Sequence, residues 1–151
     1  MQTDYPSLRS RINALCEGET DVISKMATVS CELFHNDDRF DWVGFYRVTS
    51  PEMLKIGPYQ GGHGCLTIPF SRGVCGAAAT TRKIQLIDDV NAFDGHIACA
   101  TSTQSEIVLP VFDQQCELIA VLDIDSNQLN AFTKDDALAL TQIISDTFQK
   151  N

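Results

Sequence analysis

The apolar positions of this chain change period several times, and the changes mark its elements. Over residues 7–35 the spacing is helical: Ile23, Met26, Ala27, Ser30, Leu33 and Phe34 recur on one face. Cys16 falls near the end of a first helix and Cys31 lies within a second. Thr20 is placed to cap the second helix, with Asp21 in its first turn. From Phe40 the period shortens. Phe40–Val48 is rich in aromatic and β-branched residues and predicts a strand. Met53–Ile56 and Cys65–Ile68 predict shorter strands, separated by a loop over Gly57–Gly64 that holds four glycines and a proline. Ser71–Ala79 reads as a glycine-rich entry into a short helix, with Arg82 and Lys83 near its end, and Ile84–Ile87 is strand-like. Residues 88–104 form a long mixed connection, and long connections in compact domains often carry function. Glu106–Phe112 and Glu117–Ile124 predict a hairpin turning through Asp113–Cys116. Thr133 then caps a final helix, with Asp136 three residues on and Ala137, Leu140, Ile144 and Phe148 sharing a face. Helices, then strands with one helix among them, then a helix, define an α+β class: an antiparallel sheet with helices on its faces.

Composition narrows the class of function. A length of 151 residues suits one domain spanning 1–151, and 44% apolar residues suffice for a core. Eleven basic residues against twenty acidic ones leave a net charge of −9, which disfavours nucleic acid as a partner. The apolar runs are too short to span a membrane. The opening Met1-Gln2-Thr3-Asp4-Tyr5 lacks the basic and apolar segments of an export signal, so a reducing cytoplasm is expected.

Six cysteines then stand out: Cys16, Cys31, Cys65, Cys75, Cys99 and Cys116. No C-x-x-C occurs, and His35, His63 and His96 do not fall at ligand spacing, so no metal is expected from spacing. Cys16, Cys31 and Cys116 read as structural or incidental. Cys65, Cys75 and Cys99 sit on loops or element edges. Cys75 enters a helix after a glycine, where the dipole would lower a thiol pKa, and this local argument marks it as a nucleophile. Asp123 and Asp125 share one strand face, which fits either a pocket wall or a strand end. Trp42, the single tryptophan, lies on a strand with Phe45 and Tyr46 and fits either a core or a pocket.

Asp41-Trp42-Val43-Gly44-Phe45-Tyr46, Gly57-Pro58-Tyr59-Gln60-Gly61, Ile68-Pro69-Phe70 and Gly73-Val74-Cys75-Gly76 recur in a known pattern, followed by Gly95-His96-Ile97-Ala98-Cys99, Ser105-Glu106-Ile107-Val108 and Leu122-Asp123-Ile124-Asp125-Ser126. Together they resemble the free methionine-R-sulfoxide reductases, a branch of the GAF-domain superfamily. The resemblance implies a GAF-like domain with a roughly six-stranded antiparallel sheet flanked by N- and C-terminal helices. It implies reduction of free L-methionine (R)-S-oxide by thiolate attack, through a sulfenic acid and a disulfide, with thioredoxin as reductant and with no cofactor or metal. It places Cys99 as nucleophile, Cys65 as its disulfide partner and Cys75 as auxiliary or alternate. Glu106 becomes the acid, Asp123 and Asp125 (with Glu106) hold the substrate ammonium, and Trp42 and Tyr46 wall its sulfoxide end. His96 either tunes a thiolate or serves the loop. Pairing of the N-terminal helices into a homodimer is implied as well. The chain departs from the family pattern at Gly62, Gly64 and Ala100, where Lys, Ala and an acidic residue are common. A GAF sensor of small molecules or of redox state, without turnover, is the alternative.

Overall fold

Six strands pair in one antiparallel sheet, and the alternation along each strand divides the protein into two layers. The computed structural model describes residues 3–97, 99 and 101–150. In chain order the elements are α1 (Tyr5–Leu15), α2 (Val22–Asn36), β1 (Trp42–Ser50), β2 (Met53–Gln60), β3 (Thr67–Pro69), α3 (Gly73–Thr81), β4 (Gln85–Ile87), β5 (Ser105–Phe112), β6 (Leu118–Ser126) and α4 (Lys134–Ile144). A short 3-10 turn spans Val90–Ala92, and a wider π-type turn, Ser145–Gln149, extends α4. The strand order is β3-β2-β1-β6-β5-β4.

On one face, Val43 and Phe45 of β1, Ile107, Leu109 and Val111 of β5, and Ala120, Leu122 and Ile124 of β6 pack against α1, α2 and α4. That is the main core. The opposite parity of the same strands turns Trp42, Tyr46, Val108 and Val121 toward α3, with Val74, Cys75 and Ala78. The smaller second layer therefore collects the polar members of the strands as well as some apolar ones.

Local chemistry accounts for the element ends, with two departures from expectation. Asp21, not Thr20, caps α2: its carboxylate accepts from the Ile23 N–H at 2.8 Å and the Ser24 N–H at 3.4 Å. The β2 strand also runs through Gln60, so Gly57–Gln60 is strand and not loop. The β1–β2 register shifts between Gly44 and Tyr46, and Pro58 sits at this bulge, where no ladder N–H is required. As expected, Thr133 and Asp136 form a reciprocal capping box on α4. Asp136 is also held by Arg39, which bridges it to Asp37 at 2.9 and 2.7 Å, and by the Tyr5 hydroxyl at 2.7 Å. This buried network ties α1, the α2–β1 connection and α4 together. Among the described residues, no helix is long and apolar enough to cross a membrane.

Candidate active site

Register decides which strand residues meet. Trp42 on β1 and Glu106 on β5 both pair with Asp125 on the β6 between them. One step along, Gly44 and Val108 flank Asp123. Glu106, Asp123 and Asp125 therefore converge on the α3 face, although they are distant in sequence. They floor a cavity also lined by Trp42, Tyr46, Cys75, His96 and Cys99.

The aromatic wall is built by what glycine leaves out. A Cβ on Gly44 would lie 2.5 Å from the Trp42 ring and 2.5 Å from the Tyr59 Cβ. Its absence lets Trp42 stack between Tyr59 and Tyr46, with centroids at 5.3 and 5.9 Å. The Trp42 indole N–H donates to the Gly62 carbonyl at 2.7 Å, which pins the loop before Cys65 against the wall. Gly64, one of the departures from the family pattern, faces the same rings: a Cβ there would come within 2.9 Å of the Tyr46 hydroxyl oxygen.

At the mouth, Cys65 and Cys99 form a disulfide with a Cα–Cα separation of 5.4 Å. It links the loop before β3 to the long connection before β5, the two cysteines that the resemblance paired. Cys75 is free and buried on the first turn of α3. Burial, and after it the charges of Asp123 and Glu106, push its thiol well above the usual range. The expectation of a thiol lowered by the helix dipole is thus reversed, because desolvation among carboxylates outweighs the terminus.

Glu106 and Asp123 are only 6% and 5% exposed. Burial raises all three carboxyl pKa values, and each is raised further by a neighbouring carboxylate: Asp123 acts on Glu106, Asp125 on Asp123 and Glu106 on Asp125. The lining holds no lysine or arginine among the described residues. His96 Nε2 lies 3.8 Å from Glu106 Oε1, and burial lowers the imidazole pKa. His96 thus faces the acid across the cavity, a placement that its position beside the Cys99 motif does not disclose. Asp123 Oδ1 and Asp125 Oδ1 are buried with no hydrogen-bond partner among the described residues. A compact group carrying several N–H donors and a positive charge would satisfy both.

The structure brings together every residue singled out for the site: Trp42, Tyr46, Cys75, Cys99, Glu106, Asp123 and Asp125 line the cavity, and Cys65 is bonded to Cys99. The sequence reading missed Thr103, Ile97 and His63 on the lining. Ile97 packs on Gly73, whose φ of +69° favours glycine, and a Cβ there would meet the Ile97 side chain at 3.2 Å. No spacing rule links residues 73 and 97. Ala98 and Ala100 lie outside the described residues.

Comparison with known proteins shows the family of the chain. The GAF-domain family model matches residues 16–148. Protein YtsP of Bacillus subtilis (strain 168) is 43% identical over 150 residues, covering 99% of this chain and 91% of its own. The free methionine-R-sulfoxide reductase of Escherichia coli (strain K12) is 41% identical over 141 residues, covering 93% and 84%. The reduced-form structure of fRMsr of Staphylococcus aureus superposes with a TM-score of 0.94 at 37% identity, over 99% of this chain and 96% of its own. The chain belongs to the GAF-domain family and, within it, to the free methionine-R-sulfoxide reductases, a family of oxidoreductases.

Proposed function

We propose that this protein reduces free L-methionine (R)-S-oxide to L-methionine. The observation that carries the reading is the Cys65–Cys99 disulfide at the mouth of a cavity floored by Glu106, Asp123 and Asp125. In the reduced protein the Cys99 thiolate attacks the sulfoxide sulfur. Glu106, kept protonated by burial and by the Asp123 charge, donates to the departing oxygen. The S–S bond made by this attack then breaks as the hydroxyl passes from the substrate sulfur to Cys99 Sγ, so methionine leaves and Cys99 becomes a sulfenic acid. The Cys65 thiol condenses with it, releasing water and forming the disulfide. A dithiol, thioredoxin in this reading, returns both cysteines to thiols by exchange. Cys75 is an auxiliary thiol.

The unpartnered oxygens of Asp123 and Asp125 support their role as receptors for the substrate ammonium. Trp42 and Tyr46 offer aromatic faces to the methyl sulfoxide end. A reducing cytoplasm supplies the reductant that the cycle needs. Exposed Leu15, Val22 and Ile23 at the α1–α2 corner support pairing of two copies through the N-terminal helices.

The test supplies racemic free methionine sulfoxide and dithiothreitol and follows each epimer. The R epimer alone should disappear, and a peptide-bound sulfoxide should be rejected because its amide cannot replace the ammonium. Cys99→Ser should abolish even a single turnover. Loss of neither epimer would favour a sensor over an enzyme.

A further inference from the structure

The side-chain atoms at the cavity floor also form a set of metal donors, in which Cys75 joins two of the carboxyls assigned to the reaction. Cys75 Sγ and one oxygen each of Glu106 and Asp123 lie within 4.8 Å of one another, and all three residues are buried. Donors around a tetrahedral zinc, bonded at about 2.0–2.3 Å, lie about 3.3–3.8 Å apart. Rotamer movements of about an ångström would close the set. A second observation points to a cation: Asp123 is 5% exposed, and its Oδ1, buried in the cavity wall, has no hydrogen-bond partner among the described residues. Asp125 presents a second such oxygen beside the set. No lysine or arginine lines the cavity to balance this charge among the described residues.

We propose that Cys75, Glu106 and Asp123 bind a thiol-seeking divalent cation of the zinc class, and that the bound ion blocks the cavity. The chemistry of the set selects the ion. Two carboxylates alone would suit magnesium or calcium, whereas a thiolate favours zinc and its neighbours in softness. Three protein ligands leave a fourth position to water. The same atoms would face the substrate ammonium, so ion and amino acid exclude one another. The metal site stands on the geometry of the floor, and its competition with the amino acid rests on the substrate proposed above. Spacing rules gave no sign of it, because residues 75, 106 and 123 meet only through sheet register and the docking of α3.

Cobalt(II) tests the proposal, since it takes zinc sites and reports thiolate ligation by a near-ultraviolet charge-transfer band. The whole chain, oxidised so that Cys65 and Cys99 are locked as the disulfide, is titrated with cobalt alone. The band should saturate at one equivalent and vanish on adding zinc. It should be absent in Cys75→Ser and unchanged in Cys31→Ser and Cys16→Ser. Glu106→Gln gives a second variant, retaining shape but losing a ligand, and should weaken cobalt binding by at least tenfold. Asp125→Asn, beside the ligands, should weaken it about 10–100-fold. Free methionine should displace the ion. A band that persists in Cys75→Ser, or no band in the folded wild-type protein, overturns the proposal. Cobalt binding that methionine does not displace overturns the blocking of the cavity by the ion, while the R-epimer assay on metal-free protein tests the proposed substrate separately.

Discussion

Glu106 shows how a single residue acquires its chemistry from its neighbours. Its carboxyl is raised because it is buried and because Asp123 carries charge beside it. An acid with a raised pKa keeps its proton to higher pH than an ordinary carboxyl and loses it as pH rises further. The rate of methionine formation should therefore fall on the alkaline side through the raised value. In Glu106→Gln the rate should be low throughout, with that alkaline decline gone; single-turnover assays across pH would show it. An unchanged decline in the variant would assign the titration to another group. Gly44 illustrates a steric demand in place of an electrostatic one. Gly44→Ala would drive a methyl into Trp42 and Tyr59, and overpacking of this kind costs about 1–3 kcal/mol. Urea denaturation should show that loss, and fluorescence of the single tryptophan should report a displaced ring. Both residues belong to motifs legible in the sequence. What remained illegible was the sign of the Cys75 shift: a helix start argues for a lowered pKa, and only the carboxylates packed against it raise it.

At the scale of elements, patterning served well where one face is apolar and the cap is local. The period of α4 and its Thr133–Asp136 cap were readable because both lie within a few consecutive residues. The second role of Asp136 was not. Arg39 is 97 positions away from it and joins it to Asp37, with both carboxylates nearly inaccessible. Arg39→Met should destabilise the fold by about 3 kcal/mol, because it strands two buried carboxylates, whereas a surface ion pair would cost under ~1 kcal/mol. Equilibrium denaturation against wild type checks this, and a loss below ~1 kcal/mol would show the network to be dispensable. The strand β2 was read too short because glycine and proline normally break strands. Here they occupy a bulge, and the tight approach of Gly57 to Arg47 and Phe45 makes the glycine useful within the sheet.

For the molecule as a whole, two sets of carboxylates respond to acid in opposite senses. Burial works to raise Asp37 and Asp136, but hydrogen bonds from Arg39, with Thr3 and Tyr5 helping, hold both below the ordinary range. Hydrogen bonding from Arg9 likewise holds Asp146 low. Groups lowered in the fold add stability above their unfolded pKa of about 4, and that stability is lost as pH falls toward their folded values. The raised cavity carboxyls do the reverse: their cost appears as pH rises from about 4 toward their folded values and vanishes in acid. Below pH 4 protonation of Asp37, Asp136 and Asp146 should lower the urea midpoint, and Asp146→Asn should lessen that fall. A midpoint equally acid-sensitive in the variant would exclude Asp146 as a contributor. By itself the sequence determined the α+β class, most element positions and the motifs that place the chain in its family, because periodicity, caps and turn residues act over short range. The convergence of Glu106, Asp123 and Asp125, the 5.4 Å approach of Cys65 and Cys99, and the burial of Cys75 beside the acids were decided only by tertiary structure. Sheet register and the closing of two layers set those distances, and desolvation, which fixes the protonation states, exists only once the layers have closed.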